Sequence, residues 1–263
     1  IGLPLSLFQI EKKHDLGIFE VGISKPDEMD NQENIFHPKI GLLTHIGSAH
    51  SANFSSEEEL INEKLKLFKN SEIIFYNADN LLTDKIINEL YSSKKLISYG
   101  LEINNDIHII SNVNDRTQDI QIKYFDEIIT LPIFQRDEAT LTNVLALIGI
   151  LKELKISNSD IKEKIDALKA IEMRLESIEG IRNNLIINDS YNLDLDSLKI
   201  AFQFIGEYNK PKKSLILTDI LDSNENSQEL YSEVSELVNE QNFDKVFLIG
   251  DEISNFHELF TSE

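Results

Sequence analysis

The stretch of sequence that decides the fold runs from Ile40 to Tyr76. It reads IGLLTHIGSAH over residues 40–50, SEEELINEKLKLFKN over residues 56–70 and EIIFY over residues 72–76. The outer parts are short apolar runs typical of buried strands, and the middle part has apolar residues at helical spacing. Ser56 and Glu59 stand three residues apart, as in a capping box that begins a helix. A strand, a helix and a second strand in direct succession predict a parallel strand–helix–strand unit.

The same alternation of strands and helices extends to both sides of this stretch. Around it the patterns predict strands over Gly17–Ile23, 96–99, 106–111, 119–125 and 127–133, and helices over 79–91, 138–154 and 158–170. The last three strands follow one another across polar turns, which is typical of antiparallel pairing. The first part of the chain is therefore expected to hold a mostly parallel sheet with a small antiparallel section.

A new strand–helix alternation begins after Arg174. The patterns predict strands over 185–188, 214–218 and 245–249 and helices over 194–207 and 227–240. Alternation of this kind is typical of parallel sheets with helices on both faces. We therefore predict an α/β chain of two domains, residues 1–172 and 173–263, with the boundary near residue 172.

Composition excludes several classes of protein. The net charge is −21 over 263 residues, and such an acidic surface repels nucleic acid and anionic membranes, so neither is an expected partner. The chain has no cysteine, which excludes disulfides and cysteine nucleophiles and suits a reducing cytoplasm. No apolar run is long enough to span a membrane, and the start lacks both a signal-peptide pattern and an initiator Met. We expect a cytoplasmic protein and a chain processed or excised from something longer.

Two polar residues lie at or just beyond the ends of predicted strands, at the edge where ligands gather in open α/β sheets. Glu20 stands near the end of the run IFEVG (18–22), and His50 ends the run THIGSAH (44–50) after a glycine-containing turn. A carboxylate in a loop and a lone surface histidine are the simpler interpretations. Because both residues lie at strand ends of one predicted sheet, a site shared by the two is the alternative interpretation.

Lys64 lies inside the apolar stripe of the helix over 56–70. The stripe consists of Leu60, Ile61, Leu65 and Phe68, and Lys66 lies outside it. Geometry alone favours a long side chain whose charged end reaches water at the edge of the stripe. The alternative is a lysine whose pKa is lowered by burial, so that the neutral amine is nucleophilic or captures carbon dioxide as a carbamate.

Three further candidates lie later in the chain. Asn143 stands in an otherwise apolar helix, where its amide either contacts a base edge or caps a neighbouring turn. Arg174 opens the predicted second domain. Asp189 ends an apolar strand in NDSYN (188–192), where a carboxylate serves either a ligand or the N-cap of the next helix. The sequence contains neither G-x-x-x-x-G-K-[ST] nor G-x-G-x-x-G, so it carries no phosphate-binding loop of these kinds.

Taken together, these motifs resemble the Mur ligase family. The Glu20 strand, GSAH (47–50), KLKLF (64–68) and YNADN (76–80) follow the order and spacing of its central domain, and the Arg174 segment with NDSYN (188–192) resembles its C-terminal domain. The NDSYN form is most similar to the ligases that add D-alanyl-D-alanine to UDP-N-acetylmuramoyl-tripeptide. LILTDIL (215–221) and IGD (249–251) resemble the version fused to an alanine racemase in Bacteroidetes-type bacteria.

The resemblance implies an ATP-binding central domain over 1–172 that lacks its phosphate loop, and an incomplete Rossmann-like domain over 173–263. It implies ATP and Mg²⁺ as cofactors, an acyl phosphate on the UDP-N-acetylmuramoyl-peptide, and attack on it by the amine of D-alanyl-D-alanine. By position, Glu20, His50 and a carbamylated Lys64 would hold magnesium, with Lys64 and His50 as catalytic residues. Asn143 would contact adenine, Arg174 the phosphates and Asp189 the ribose, and Tyr191 and Asn192 would line the nucleotide site.

This sequence departs from the family pattern in several places. His45, Ala52 and Asn53 stand where Asn, an acidic residue and Gly are common, which alters the surroundings of His50. The family's UDP-binding domain and phosphate loop precede the segment that corresponds to residues 1–6, and neither is in this chain. We therefore expect a ligase fragment that is inactive alone and binds ATP very weakly. A non-catalytic binding module of the same fold and a folylpolyglutamate-type ligase are the alternatives.

Overall fold

The computed structural model describes residues 2–47, 53–111, 119–133, 135–168, 171–206, 208–221 and 226–261. The chain forms two compact units. Unit 1 comprises Ile1–Ile46, Asn53–Leu131 and Thr142–Lys162, and unit 2 comprises Gly47–Ala52, Pro132–Leu141 and Glu163–Glu263. The domain boundary predicted near residue 172 stays a prediction. No helix in the described ranges is long and apolar enough to cross a membrane.

Unit 1 is built on a six-stranded sheet. Its elements are α1 (Gly2–Leu7), α2 (Glu28–Glu33), β1 (Ile40–Leu43), α3 (Glu57–Leu65) with a 3-10 turn (Lys66–Phe68), β2 (Ile73–Asn77), α4 (Leu81–Tyr91), β3 (Lys95–Tyr99), β4 (Ile107–Ile109), β5 (Ile120–Tyr124) and β6 (Glu127–Leu131). Two helices, α5 (Glu138–Glu153) and α6 (Asn158–Asp166), follow β6. The strand order is β1-β2-β3-β4-β5-β6, parallel from β1 to β4 and antiparallel from β4 to β6. This confirms the predicted mostly parallel sheet with a small antiparallel section.

The predicted strand over Gly17–Ile23 is wrong. The structure assigns no strand to these residues and begins the sheet with β1. Burial still alternates along the segment, since Val21 and Ile23 join the core while Ile18 is 84% exposed and Glu20 is exposed. The alternation in sequence therefore reports which side chains are buried, whereas a strand also needs a backbone hydrogen-bonding partner.

Helix α3 and the 3-10 turn that follows it pack the predicted apolar stripe into the core. Leu60, Ile61, Leu65 and Phe68 are all buried, and burial of each such side chain stabilises the fold by about 1.5–3 kcal/mol. The ring of Phe68 occupies the space that a side chain on Gly41 of β1 would need. The predicted cap is present, because Ser56 Oγ accepts the backbone N–H of Glu59 at 3.1 Å.

The change from parallel to antiparallel pairing occurs at β4. β3 and β4 overlap through the single pair Tyr99↔Ile107, so seven residues connect strands whose parallel crossover normally takes a dozen or more. Asp79 holds this connection, since its carboxylate accepts the backbone N–H groups of Leu101 at 2.7 Å and Glu102 at 3.1 Å. Gly100 is needed there because a Cβ would collide with the Asp79 carboxylate.

Unit 2 holds two small sheets. Its elements are β7 (Glu176–Glu179), a 3-10 turn (Ile181–Asn183), β8 (Leu185–Asn188), α7 (Leu195–Gly206), β9 (Ser214–Thr218), α8 (Ser227–Glu240), β10 (Lys245–Ile249) and a 3-10 segment (Ile253–Leu259). β9 and β10 are parallel, as predicted, and pack against α7 and α8 through a core that includes Phe202 and Tyr231. β8 instead pairs antiparallel with β7, a strand that the sequence analysis did not predict.

Candidate functional site

The structure divides the candidate residues between the two units. Glu20, Lys64 and Asn143 belong to unit 1, Arg174, Asp189, Tyr191 and Asn192 belong to unit 2, and His50 lies outside the described residues. A cavity of about 430 Å³ in unit 2 is lined by Val246, Leu248, Ser254, His257 and Phe260, none of which is a candidate. The candidates are therefore divided between the two units.

Lys64 is half-buried on α3, beside the fully buried Leu60, Ile61 and Leu65. Burial lowers the pKa of its ammonium group, because the apolar surroundings disfavour the charged form. The lowered pKa agrees with the hypothesis that burial disfavours the charged form of Lys64. An ammonium group cannot coordinate a cation, so Lys64 fits a magnesium site only as a carbamate.

The described residues contain no group of three or more His, Asp or Glu side chains placed to hold a metal ion. Mg²⁺ commonly uses only one or two protein carboxylates and completes its shell with waters and substrate phosphates. The exposed carboxylate of Glu20 has the right donor chemistry for that arrangement. Asn143, assigned to adenine by resemblance, is exposed on α5 and open to a ligand.

Helix α2 holds one side of α3 through Glu63, a residue that the sequence analysis missed. Glu63 is 4% exposed, and its carboxylate accepts the backbone N–H of Met29 at 2.9 Å. Lys66 pairs with Glu63 at 2.7 Å and with Asp30 at 2.8 Å, and these contacts raise the pKa of Lys66. A buried carboxylate with a cation and a backbone donor ties the two helices together.

Helix α4 holds α3 at both ends. At the start of α4, Asn80 accepts the N–H of Thr83 at 2.9 Å and donates to the Glu57 carboxylate of α3 at 2.8 Å. At its last residue, Tyr91 donates its hydroxyl to the carbonyl of Leu65 at 2.8 Å. The YNADN segment (76–80) that resembled the family thus supports the helix that carries Lys64.

Arg174 lies in a strained segment of unit 2. Its guanidinium group stacks over the ring of Tyr191, 4.2 Å from the ring centroid. Met173 and Leu175 on either side have positive φ angles of 59° and 47°. Bulky residues rarely adopt this left-handed region, which costs each about 1–2 kcal/mol, and such strain concentrates at functional sites.

Asp189 is half-buried, and its Oδ1 atom accepts the backbone N–H of Leu175 at 3.1 Å. Burial raises the pKa of this carboxyl, although the bond from Leu175 and the nearby Arg174 act in the opposite direction. The helix-cap alternative for Asp189 is wrong, because Asp194 caps α7. Asp194 accepts the N–H of Ser197 at 2.8 Å, and its own N–H donates to Ser197 Oγ at 3.0 Å.

Glu176 is a second residue that the sequence analysis did not single out. Its Oε2 atom accepts the N–H of Met173 at 3.1 Å and the Asn188 side-chain amide at 3.3 Å. Tyr191 and Asn192 are both exposed just after β8. The ring of Tyr191 lies against Arg174, and the side chain of Asn192 is accessible to solvent. One short strand pair therefore supports Arg174, Asp189 and Tyr191.

Comparison with known families identifies the chain. The family model described as the Mur ligase middle domain matches residues 1–151. The chain belongs to the Mur ligase family. This confirms the resemblance of the motifs between Glu20 and Asn80 and the predicted class of fold.

Curated relatives agree over nearly the whole length of the chain. UDP-N-acetylmuramoyl-tripeptide–D-alanyl-D-alanine ligase of Rickettsia prowazekii is 28% identical over 100% of this chain and 60% of its own length. The Bacillus subtilis protein of the same name is 26% identical over 95% of this chain and 54% of its own length. The chain thus spans between half and two thirds of the length of these Mur ligases.

Solved structures show the same fold. A crystal structure of MurF from Acinetobacter baumannii covers 99% of this chain and 57% of its own, with a TM-score of 0.83 at 21% identity. MurF ligase from Thermotoga maritima in complex with ADP covers 91% of this chain and 55% of its own, with a TM-score of 0.71 at 20% identity. The Mur ligase fold therefore extends through both units.

Proposed function

We propose that this chain is the ATP-handling part of a cytoplasmic ligase that adds D-alanyl-D-alanine to UDP-N-acetylmuramoyl-tripeptide in peptidoglycan synthesis. The observation that carries the proposal is that relatives bearing that name match 95–100% of the chain. The ADP complex of the Thermotoga maritima ligase supports ATP as the nucleotide. The strained, stacked Arg174 beside Asp189 supports a ligand site in unit 2.

In the proposed reaction, a carboxylate oxygen of the peptide attacks the terminal phosphorus of ATP, and ADP leaves. The amine of D-alanyl-D-alanine then attacks the acyl carbon, inorganic phosphate leaves and the amine loses a proton. Magnesium, when bound, offsets the negative charge of the phosphates during the transfer. Glu20, His50 and a carbamylated Lys64 would hold the metal, with His50 and Lys64 also catalytic.

The remaining candidates serve the nucleotide. Asn143 contacts adenine, Arg174 the phosphates and Asp189 the ribose, while Tyr191 and Asn192 line the site. The stacking of Arg174 on Tyr191 supports the phosphate role of Arg174, because it fixes a cation that matches phosphate geometry.

The chain alone is proposed to be inactive. A UDP-binding domain and a phosphate-binding loop would be supplied in cis on the N-terminal side, and a fused alanine racemase is proposed as a further partner. Without a phosphate loop most backbone donors to the phosphates are missing, and a net charge of −21 opposes binding of a tetra-anion. Calorimetry with the isolated chain should give no micromolar affinity for ATP.

The test uses the complete protein encoded by the gene that contains this chain. ADP release is measured with UDP-N-acetylmuramoyl-tripeptide and D-alanyl-D-alanine, and mass spectrometry identifies the product. We expect ADP release to require both substrates and the product to gain one D-alanyl-D-alanine. Activity with a folate and glutamate instead would establish the folylpolyglutamate-type alternative. No turnover with either set of substrates would favour the non-catalytic binding module.

A further inference from the structure

The segment Met173–Leu175 is held in its unusual conformation by its surroundings. Both flanking residues have positive φ angles, 59° at Met173 and 47° at Leu175, which side chains of this size rarely adopt unless other contacts impose them. The residue between them, Arg174, has an exposed side chain stacked on Tyr191. The strain therefore surrounds Arg174, the cation among the nucleotide-site candidates of unit 2.

Two carboxylates hold this backbone. Glu176 Oε2 accepts the N–H of Met173 at 3.1 Å, and Asp189 Oδ1 accepts the N–H of Leu175 at 3.1 Å. The carbonyl of Met173 accepts the N–H of Tyr191 at 3.2 Å, which joins the segment to the chain just after β8. Hydrogen bonds to charged acceptors are stronger than bonds between neutral groups, so they can maintain a strained backbone.

Glu176 also connects the segment to the sheet. It is the first residue of β7 and stands directly opposite Asn188, the last residue of β8. The same Oε2 atom accepts the Asn188 side-chain amide at 3.3 Å. Because Asp189 directly follows Asn188 and Tyr191 lies two residues further on, the Glu176 carboxylate adds a link between the Arg174 segment and the strand end that carries the other nucleotide candidates of unit 2.

We propose that Glu176 is a positioning residue, which holds Met173–Leu175 against the end of β8 so that Arg174 is presented to the phosphates of the nucleotide. The proposal rests on the proposed function, in which Arg174 contacts those phosphates. Glu176 itself touches neither substrate nor nucleotide. Its loss misplaces the guanidinium group, and misplacements of about 1 Å cost large factors in rate.

The experiment measures kcat and KM for ATP in the complete ligase. Glu176→Ala removes the acceptor, and we expect kcat/KM for ATP to fall about tenfold or more, with KM for D-alanyl-D-alanine unchanged. Glu176→Gln keeps an oxygen that accepts the Met173 N–H and should stay within about threefold of the wild type. Glu179→Ala, an exposed glutamate on the same strand, is the matched control and should have no effect.

A double-mutant cycle with Arg174→Ala distinguishes the positioning role of Glu176 from the phosphate-binding role of Arg174. If Glu176 acts through Arg174, Glu176→Ala adds no further loss to the Arg174→Ala enzyme. Wild-type activity of Arg174→Ala would refute the phosphate assignment of the proposed function. A large loss in Arg174→Ala with none in Glu176→Ala, or losses that multiply in the double variant, would overturn the positioning role alone. If Glu176→Ala does not yield folded enzyme, Glu176→Asp replaces it, because it keeps the charge but draws the carboxylate back from the Met173 N–H by one methylene.

Discussion

Replacing Tyr99 by Phe removes one hydroxyl group that secures the end of β1. Tyr99 on β3 is 1% exposed, and its hydroxyl lies 2.9 Å from the carbonyl oxygen of Leu43 and 3.2 Å from that of Thr44. The ladder between β1 and β2 ends at Leu43. The hydroxyl thus holds the backbone where the chain leaves the sheet toward the segment that contains His50.

The change in the free energy of unfolding follows from the hydrogen bonds that the Leu43 and Thr44 carbonyls lose. A hydrogen bond contributes about 1 kcal/mol net, and a buried polar group left without a partner costs about 1–3 kcal/mol. Leu43 is buried, so we expect Tyr99→Phe to lower the free energy of unfolding of unit 1 by about 2 kcal/mol.

Tyr76→Phe is the matched control, because Tyr76 on the neighbouring β2 is also buried, at 4% exposure. Its hydroxyl lies 2.9 Å from Asp84 Oδ1 and 3.2 Å from the Asn88 amide. Asn88 also donates directly to Asp84 at 2.9 Å, so these partners satisfy each other when the hydroxyl is gone. We expect Tyr76→Phe to cost less than about 1 kcal/mol.

Native-state hydrogen exchange of the β1 and β2 amides measures unit 1 without assuming that the whole chain unfolds in one step. Protection should fall about 30-fold in Tyr99→Phe and less than about fivefold in Tyr76→Phe. Equal losses, or a larger loss in Tyr76→Phe, would refute the reasoning. Burial also raises the pKa of Tyr99, so its folded state resists ionisation and stability falls as pH rises beyond about 10. Tyr99→Phe should lose this part of the alkaline destabilisation.

Three other substitutions test the remaining physical claims. Lys64→Met should abolish ligation by the complete protein yet raise the free energy of unfolding by about 1 kcal/mol, because burial disfavours the ammonium; a lower melting temperature would contradict this. Asp189→Asn keeps the acceptor for the Leu175 N–H and removes a carboxylate whose pKa is raised by burial. It should therefore stabilise unit 2 at about pH 7 but not at about pH 3, where the wild-type group is protonated. The same gain in stability at both pH values, measured by urea unfolding, would count against this. Gly250→Ala places a Cβ against the Asp219 carboxylate at a φ of 146° and should cost about 2 kcal/mol or more, whereas Gly206→Ala, which meets no atom within 4 Å, should not.

Elements whose own sequence contains their signal were predicted from sequence alone. The helix over Ser227–Glu240 and the strand over Lys245–Ile249 match their predicted limits, because the apolar periodicity of each spans the whole element. β7 was missed because Glu176–Glu179 contains a single apolar residue and is a strand only through pairing with β8. The prediction of a strand over Gly17–Ile23 was wrong for the converse reason. The segment has the alternating pattern of a strand, but the described part of the chain provides no strand that pairs with it.

The residues of the candidate site show the same difference between local sequence signals and contacts with distant residues. Lys64 could be found because it interrupts a helical stripe that one short segment contains. Glu63 could not, because its partner Met29 lies 34 residues away and no local pattern links the two. Glu176 is similar, since its importance comes from the backbone conformation of Met173. Sequence patterns identify residues that are unusual for their own element, and they do not identify residues that matter through contacts distant in sequence.

Carboxylates at strand ends need one more distinction before they are assigned to ligands. Asp79 follows β2 and accepts two backbone N–H groups beyond Gly100 at the end of β3, and Asp219 follows β9 and accepts the N–H of Ile253 beyond Gly250 at the end of β10. Both units thus use a strand-end aspartate to fix the loop after the neighbouring strand. Asp189 differs, because among the residues that the structure describes only its Oδ1 accepts a backbone N–H, and burial raises its pKa. A ribose hydroxyl donating to the other oxygen would relieve that desolvated charge, which supports Asp189, rather than Asp79 or Asp219, as the ligand residue.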